Sequence, residues 1–395
     1  MPTYLLTCHV NTPAALHLSC LPRSQISYNQ LSGAIPPAIG ALTDLRDLQL
    51  SNSQLSGAIP PAIGALTALL YLQLFNNQLS GAIPRISLTS LRYIYLSHNM
   101  LTESIPTKMG NLVELHHLYL DYNKLGSTIS DALSTLTSLK LLSMANNELE
   151  GTIPAFLSSL TKLTHLVLSN NKLTGVIPTS IGAMMNLNTL CLSHNSLTAN
   201  LNNLSPLNSL IRLDLSSNNL SAAIPPSISR LLQVMTLKLD SNALESPIPQ
   251  SLSALSHLYF LDLSRNKFSE DFPTVLTRMT QVGNMRLSHN NFTGSIPASI
   301  TSLASLTYLD LGYTLLSGTI PTAITKMQHL SHLDLRIPTL TGTTPASMGA
   351  MLNLQTLYVN YSATPCGSGW CEVVQQSGTA FCHACTNFCN TCSRK

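Results

Sequence analysis

One phrase, L-x-x-L-x-L-S-x-N-x-L-x-G-x-I-P-x-x-I, returns through this chain at a near-constant period, and that period dictates what the chain can become. Its copies open at residues 45, 69, 91, 115, 139, 163, 187, 210, 234, 258, 282, 306, 330 and 354, in steps of 24 broken by one of 22 and one of 23. A partial copy ending in ISYNQLSG precedes them, and residues 30–43 are repeated letter for letter at 54–67. L-x-x-L-x-L alternates as a short strand does, so its second and third leucines point inward and the residues between them outward. The asparagine at the ninth position, at Asn77, Asn99, Asn123, Asn147, Asn171, Asn195, Asn218, Asn242, Asn266 and Asn290, ends the strand. Its amide can donate and accept at once, so a column of them can satisfy backbone groups of neighbouring turns. Glycine then permits a bend, and I-P fixes extended backbone before a short helical or irregular return.

One such unit buries too few aliphatic side chains to offset the entropy of ordering it. Stacked units share a leucine core and a parallel sheet, and each needs only its neighbours. The expectation is an α/β repeat of about 15 coils of 24 residues over residues 27–362, between a degenerate or truncated segment 1–26 and a cysteine-rich cap 363–395.

Composition limits the partners. Charged residues are 9% of the chain against roughly 25% in a typical soluble protein, so the surface is mainly Ser, Thr and Asn. A net charge of +3 with no basic block argues against nucleic acid. No stretch approaches about eighteen apolar residues, so no membrane span is expected in this chain, and the N-terminus lacks the charged start and apolar core of a secretory signal. Six cysteines near the C-terminus, Cys366, Cys371, Cys382, Cys385, Cys389 and Cys392, read as a disulfide-stapled cap of undetermined connectivity in an oxidising compartment. Their two C-x-x-C pairs sit closer together than in known four-cysteine zinc modules, so no metal is expected. Asn203, Asn219, Asn291 and Asn360 head N-x-S/T sequons compatible with glycosylation, and an extracellular or cell-surface location follows.

The phrases LSGAIP, LTGVIP and FTGSIP, in register over residues 27–362, resemble the plant-specific subtype of leucine-rich repeat. That subtype occurs in receptor kinase ectodomains, receptor-like proteins and polygalacturonase inhibitors. The resemblance implies a right-handed solenoid with a concave parallel β-sheet, a second short strand near the I-P segment, and ligand recognition by the concave face or its edges. The chain departs from the subtype in places. Only Cys8 and Cys20 stand where the subtype has a paired-cysteine N-terminal cap. The unit at Leu187 replaces I-P with LTANLNNL, and late units put Thr314, Pro338 and Ser362 at the ninth position. Proline has no side-chain amide, so the ladder is expected to fail at Pro338.

No phosphate loop, zinc helix or kinase catalytic loop is present, and Ser, His and Asp recur too regularly to single out a catalytic trio. The chain reads as a non-enzymatic recognition protein without a cofactor. It would bind a protein, peptide or glycan, with a co-receptor as a further partner, in cell-surface signalling or defence. The alternatives are a secreted inhibitor of a cell-wall-degrading enzyme and a structural wall, matrix or ice-binding protein. Outward strand positions are free of core constraints, so unusual residues there carry the information. One group is Tyr71, Tyr93, Tyr95, His117 and Tyr119, with His116 alongside and His98 and Tyr122 at the strand ends; such rings suit binding hot spots and sugar-stacking platforms. A second column is Asp214, Lys238, Asp262, Arg286, Asp310 and Asp334, either a ladder of surface ion pairs or a strip that docks a polar partner. Cys191 occupies an outward strand position and is expected to be an exposed thiol.

Overall fold

Each period of the sequence closes into one coil of the computed structural model, which describes residues 23–25, 27, 29–198, 201–342, 344–361, 369–376 and 379–383. The coils fall into two units, Met1–Lys172 and Leu173–Lys395. In the coil that opens at residue 45, the strand Asp47–Gln49 leads through a turn to a second strand, Gln54–Ala58. Pro60, held in extended backbone, then starts a five-residue 3-10 turn, Pro61–Ala65, which buries Ile63 and closes with the Leu66 N–H on the Ile63 carbonyl. The expected α component is therefore absent among the described residues: a return this short, opening on proline, holds only 3-10 geometry. In the coil that runs two residues short, over 69–90, the return has no such turn.

The first unit carries parallel strands Arg23–Gln25, Asp47–Gln49, Tyr71–Gln73, Tyr93–Tyr95, His117–Tyr119, Leu141–Ser143 and His165–Val167. The second carries Thr189–Cys191, Arg212–Asp214, Thr236–Lys238, Phe260–Asp262, Asn284–Arg286, Tyr308–Asp310, His332–Leu335 and Thr356–Tyr361. Beneath each sheet the repeated leucines, such as Leu118, Leu142 and Leu166, or Leu213, Leu237 and Leu261, are completely buried. The short second strands pair in the same coil-to-coil order, as Gln54–Ala58 with Gln78–Ala82 and Ser221–Ala223 with Ala243–Glu245.

The asparagine column forms as expected. Asn123 accepts the Leu101 N–H from the preceding coil at 3.0 Å, and its Nδ2 donates to the carbonyls of Leu96, Leu120 and Asp121. Asn266 repeats the set on Leu244 N–H, Leu239 O, Leu263 O and Ser264 O. The ladder's last full member is Asn290. Thr314 is buried in the next place and keeps one bond of the set, from its Oγ1 to the Leu311 carbonyl. At Pro338 the amide ladder fails, and the neighbouring Thr339 hydroxyl reaches the Leu316 carbonyl instead.

After Thr356–Tyr361 the pairing turns antiparallel, with strands Gly369–Gln376 and Thr379–His383. Cys371 and Cys382 lie on these strands. Cys366, Cys385, Cys389 and Cys392, the side chains of all six tail cysteines, Cys8, Cys20 and residues 1–22 fall outside the described residues, as does Ser362. Among the described residues no helix is long and apolar enough to cross a membrane.

Candidate ligand-recognition face

The strand register brings the predicted rings of the first unit together. Tyr71 pairs with Tyr93 and Tyr93 with His117, while Gln73 aligns with Tyr95 and Tyr95 with Tyr119. Ile94 and Leu118, buried below, set the alternation that turns these side chains outward. Tyr71 and Tyr93 stack with centroids 4.5 Å apart and planes 2° from parallel, and Tyr95 and Tyr119 stack at 5.1 Å and 18°. His117 meets Tyr93 edge-on at 5.0 Å. One turn further on, His98 and Tyr122 stack at 4.2 Å, both at positive φ (55° and 53°). Asn52, Asn76, Asn146 and Asn170 fill the same place in other coils, asparagine tolerating left-handed backbone better than most residues with a side chain, while His194, Ser217, Ser241, Arg265, His289 and Tyr313 fill it elsewhere.

Each of these stacked pairs sets one ring face on its neighbour, and the rings on the strands stay half-buried. Burial pushes the Tyr95 hydroxyl above its ordinary pKa, with Tyr119, Tyr93 and Tyr71 adding to it; burial and then Asp121 do the same to Tyr119. Burial lowers His117, helped by His116, Lys140 and His165. At neutral pH the centre of the face is thus uncharged and offers O–H and N–H groups. Asp121 locks the coils behind it: one oxygen accepts the Ala145 N–H at 2.9 Å and the Ser143 hydroxyl, the other the Ser97 hydroxyl at 3.2 Å.

The charged column of the second unit also forms. Asp214, Lys238, Asp262, Arg286, Asp310 and Asp334 stand opposite one another in consecutive strands. It is not a strip of exposed charges, because Asp214, Asp262 and Asp334 are only 4%, 4% and 2% exposed. Each aspartate turns back to accept the N–H two residues on, from Ser216 (3.3 Å), Ser264 (3.0 Å), Gly312 (3.0 Å) and Arg336 (3.0 Å) in turn, so L-D-L-S is a strand-ending device. Cations close over these carboxylates: Arg212 and Lys238 on Asp214 at 3.2 and 3.4 Å, and Arg336 on Asp334. Arg286 lies over the rings of Phe260 and Tyr308 at 5.2 and 4.8 Å. The same strands enclose an open, polar cleft of about 300 Å³ bordered by Asp240, Arg265, Arg286, His289 and Arg336.

Cys191 is a correction. The thiol is 8% exposed, and burial raises its pKa against the opposing pull of the Arg212 guanidinium, which hydrogen-bonds it. A small side chain in an outward position is covered when long neighbours fold across it. Of the sequons, Asn219 and Asn291 are exposed, the Asn203 amide donates to the Ile177 carbonyl at 2.7 Å, and the Asn360 side chain lies outside the described residues.

Three features escaped the reading by residue type. Asp121 and Asp240 occupy the same place in their coils, yet Asp240 Oδ1 is buried without a hydrogen-bond partner. Tyr308 stacks on His332 at 4.0 Å, which in turn meets Tyr358 edge-on at 5.5 Å. The residue just before the strand, one edge of the sheet, reads Arg46, Leu70, Arg92, His116, Lys140 and Thr164 from residue 46 on in the first unit, and Asn188, Ile211, Met235, Tyr259, Gly283, Thr307, Ser331 and Gln355 in the second. The 24-residue spacing alone would have revealed that edge.

Leucine rich repeat models match residues 44–66, 90–112, 113–220, 257–279, 284–303 and 305–327, more than half of the chain. No curated protein sequence matches. Among solved structures, the plant peptide hormone receptor RGFR1 in complex with RGF2 is 34% identical over 86% of this chain and 55% of that one, with a TM-score of 0.80. The Arabidopsis receptor kinase HAESA in complex with the peptide hormone IDA and the co-receptor SERK1 is 28% identical over 89% of this chain and 64% of that one, at 0.72. A leucine-rich repeat protein of the bacterium Leptospira interrogans is 29% identical over 86% and 83%, also at 0.72. The chain spans less than two thirds of the two plant receptors it matches. It belongs to the leucine-rich repeat family, with repeats of the type found in plant receptor ectodomains.

Proposed function

We propose that this chain is a non-enzymatic, extracellular recognition domain with a receptor-like role, and that it binds a peptide or protein segment on the sheet face of its first unit. The observation that carries the reading is the ring ladder. Eight aromatic or imidazole side chains, Tyr71, Tyr93, Tyr95, His98, His116, His117, Tyr119 and Tyr122, gather on three consecutive strands and their exits, in a chain where Phe, Trp and Tyr are only 5% of residues. Rigid rings lose little entropy on binding and combine apolar area with hydrogen bonding, as hot-spot residues do. Ring faces given to neighbouring rings favour a peptide, whose amides meet hydroxyls and ring nitrogens, over a sugar, which gains most from a free ring face. Support also comes from two similar structures, solved with peptide hormones bound.

Selection of a displayed peptide library on the purified chain tests this. Enriched peptides are expected to lose binding by about tenfold or more on the combined Tyr93→Ala, Tyr95→Ala and Tyr119→Ala variant, and to keep it on Tyr308→Ala in the second unit. Enriched peptides that bind the triple variant as well as the parent would overturn the reading.

A further inference from the structure

The edge of the same sheet, immediately before the rings, holds exposed Arg46, Arg92 and Lys140 and half-buried His116. Backbone bonds place them on successive strands: Leu70 and Tyr71 N–H donate to the Arg46 carbonyl, Arg92 N–H to the Leu70 carbonyl, His116 and His117 N–H to the Arg92 carbonyl, and Lys140 N–H to the His116 carbonyl. Adjacent strands are about 4.8 Å apart, so three permanent cations and an imidazole recur over about five strands beside Tyr71, Tyr93 and His117. None of Arg46, Arg92 and Lys140 forms an ion pair among the described residues. His116 Nδ1 sits 2.6 Å from the Glu114 carbonyl, which leaves its other ring nitrogen available. Two carboxylates stand on the same strands: Asp47, in register with Tyr71, is only 7% exposed, and Asp121 is occupied by Ser97, Ser143 and Ala145. Cations without partners next to an uncharged aromatic centre call for a ligand that brings the opposite charge.

Resting on the reading above, we propose that the ligand of this face is an acidic peptide, with apolar or aromatic side chains set among the ring edges and carboxylates along Arg46, Arg92 and Lys140. An anionic polysaccharide would meet the same cations, but with fewer ring faces to stack on, since Tyr71 and Tyr93, and Tyr95 and Tyr119, each give one to the other.

Random Glu–Tyr copolymer, Lys–Tyr copolymer and polygalacturonate, applied to the full chain at low salt and followed by surface-immobilised binding, distinguish these ligands. Glu–Tyr copolymer is expected to bind best. Its binding should weaken about tenfold on the combined Arg92→Glu and Lys140→Glu variant and should fall steeply with added salt, while Lys–Tyr copolymer gains on that variant. Both substituted side chains are exposed, and circular dichroism would verify that the fold is kept. Glu–Tyr binding unchanged by the charge reversal would overturn this inference, and if the tyrosine triple variant still lost the copolymer, the wider reading of the face would stand. Absence of Glu–Tyr binding, or polygalacturonate binding as tightly, would also overturn it.

Discussion

The two units use one leucine skeleton to display surfaces of contrasting chemistry. In the first, neutral rings fill the centre of the sheet and cations stand at its edge. In the second, charges fill the centre, and the edge carries no cation: Ile211, Met235 and Tyr259 are exposed there in three consecutive coils, followed by Gly283, Thr307, Ser331 and Gln355. The Tyr259 ring lies where a side chain at Gly283 would stand, 2.2 Å from the position of its Cβ. The charges of the second unit are largely satisfied among themselves and by their own backbone, whereas those at the edge of the first are not. The difference teaches that inward positions are held in common while outward ones vary freely, so recognition should be sought where charge or aromatic surface is left without an internal partner.

If the skeleton really is common, equivalent scaffold substitutions must cost the same in both units. Asn123→Ala and Asn266→Ala each remove four hydrogen bonds and orphan a buried N–H, of Leu101 and Leu244 respectively. Each is expected to cost about 3 kcal/mol, read as a lower denaturant midpoint and faster hydrogen exchange at the orphaned amide. A loss in only one unit would break the comparison.

Asp121 and Asp240 sharpen it, since the same change at the same coil position should act with opposite sign. Asp121→Asn weakens charge-assisted bonds from Ala145, Ser143 and Ser97, and is expected to cost about 1–2 kcal/mol. Asp240 is held above the ordinary carboxyl range by burial, with the Asp262 carboxylate next, and only the Ser241 hydroxyl, at 3.3 Å, bonds it. A raised folded pKa means that the protonated form is favoured, so the contribution is best at low pH and is lost as pH rises from the ordinary value through the folded one. Asp240→Asn, a mimic of the protonated form, should therefore gain up to about 1 kcal/mol at neutral pH, a gain that vanishes near pH 3. Equal destabilisation by both substitutions in thermal melts would show that Asp240 has partners after all.

The periodic leucines made the coil, the strand positions and the asparagine ladder readable before any coordinates, because each is a nearest-neighbour consequence of a 24-residue period. The return segments were less readable, since nothing in PAIGA separates a 3-10 turn from one turn of α-helix except its length. The ring group was legible as a list, but not its stacking, which depends on rotamers chosen against the neighbouring coil. For the aspartate column the sequence left an ion-pair ladder and a docking strip both open, because alternation says which way a side chain leaves the sheet and not whether it then folds back onto its own backbone, as Asp262 does on Ser264. Cys191 failed for a related reason: alternation does not show what covers an outward thiol, which is buried and hydrogen-bonded by Arg212, a coil away.

The smallest expected effect lies where the second unit's ladder thins. Thr314 donates to Leu311 O, whereas the ladder asparagine one coil earlier, Asn290, accepts the Phe268 N–H and reaches three carbonyls. By the same geometry an asparagine at 314 would accept the Phe292 N–H and donate to Leu287 O, Leu311 O and Gly312 O. Leu287 O now receives Asn290 alone among the ladder amides, while the preceding Leu263 O receives both Asn266 and Asn290. Thr314→Asn should then raise stability by about 1 kcal/mol, less than the bonds alone suggest because the larger side chain must fit a buried site. An increase in Tm with slower exchange at Phe292 N–H would extend the ladder by one coil. A decrease would show that the second unit differs from the first in its spine as well as on its face.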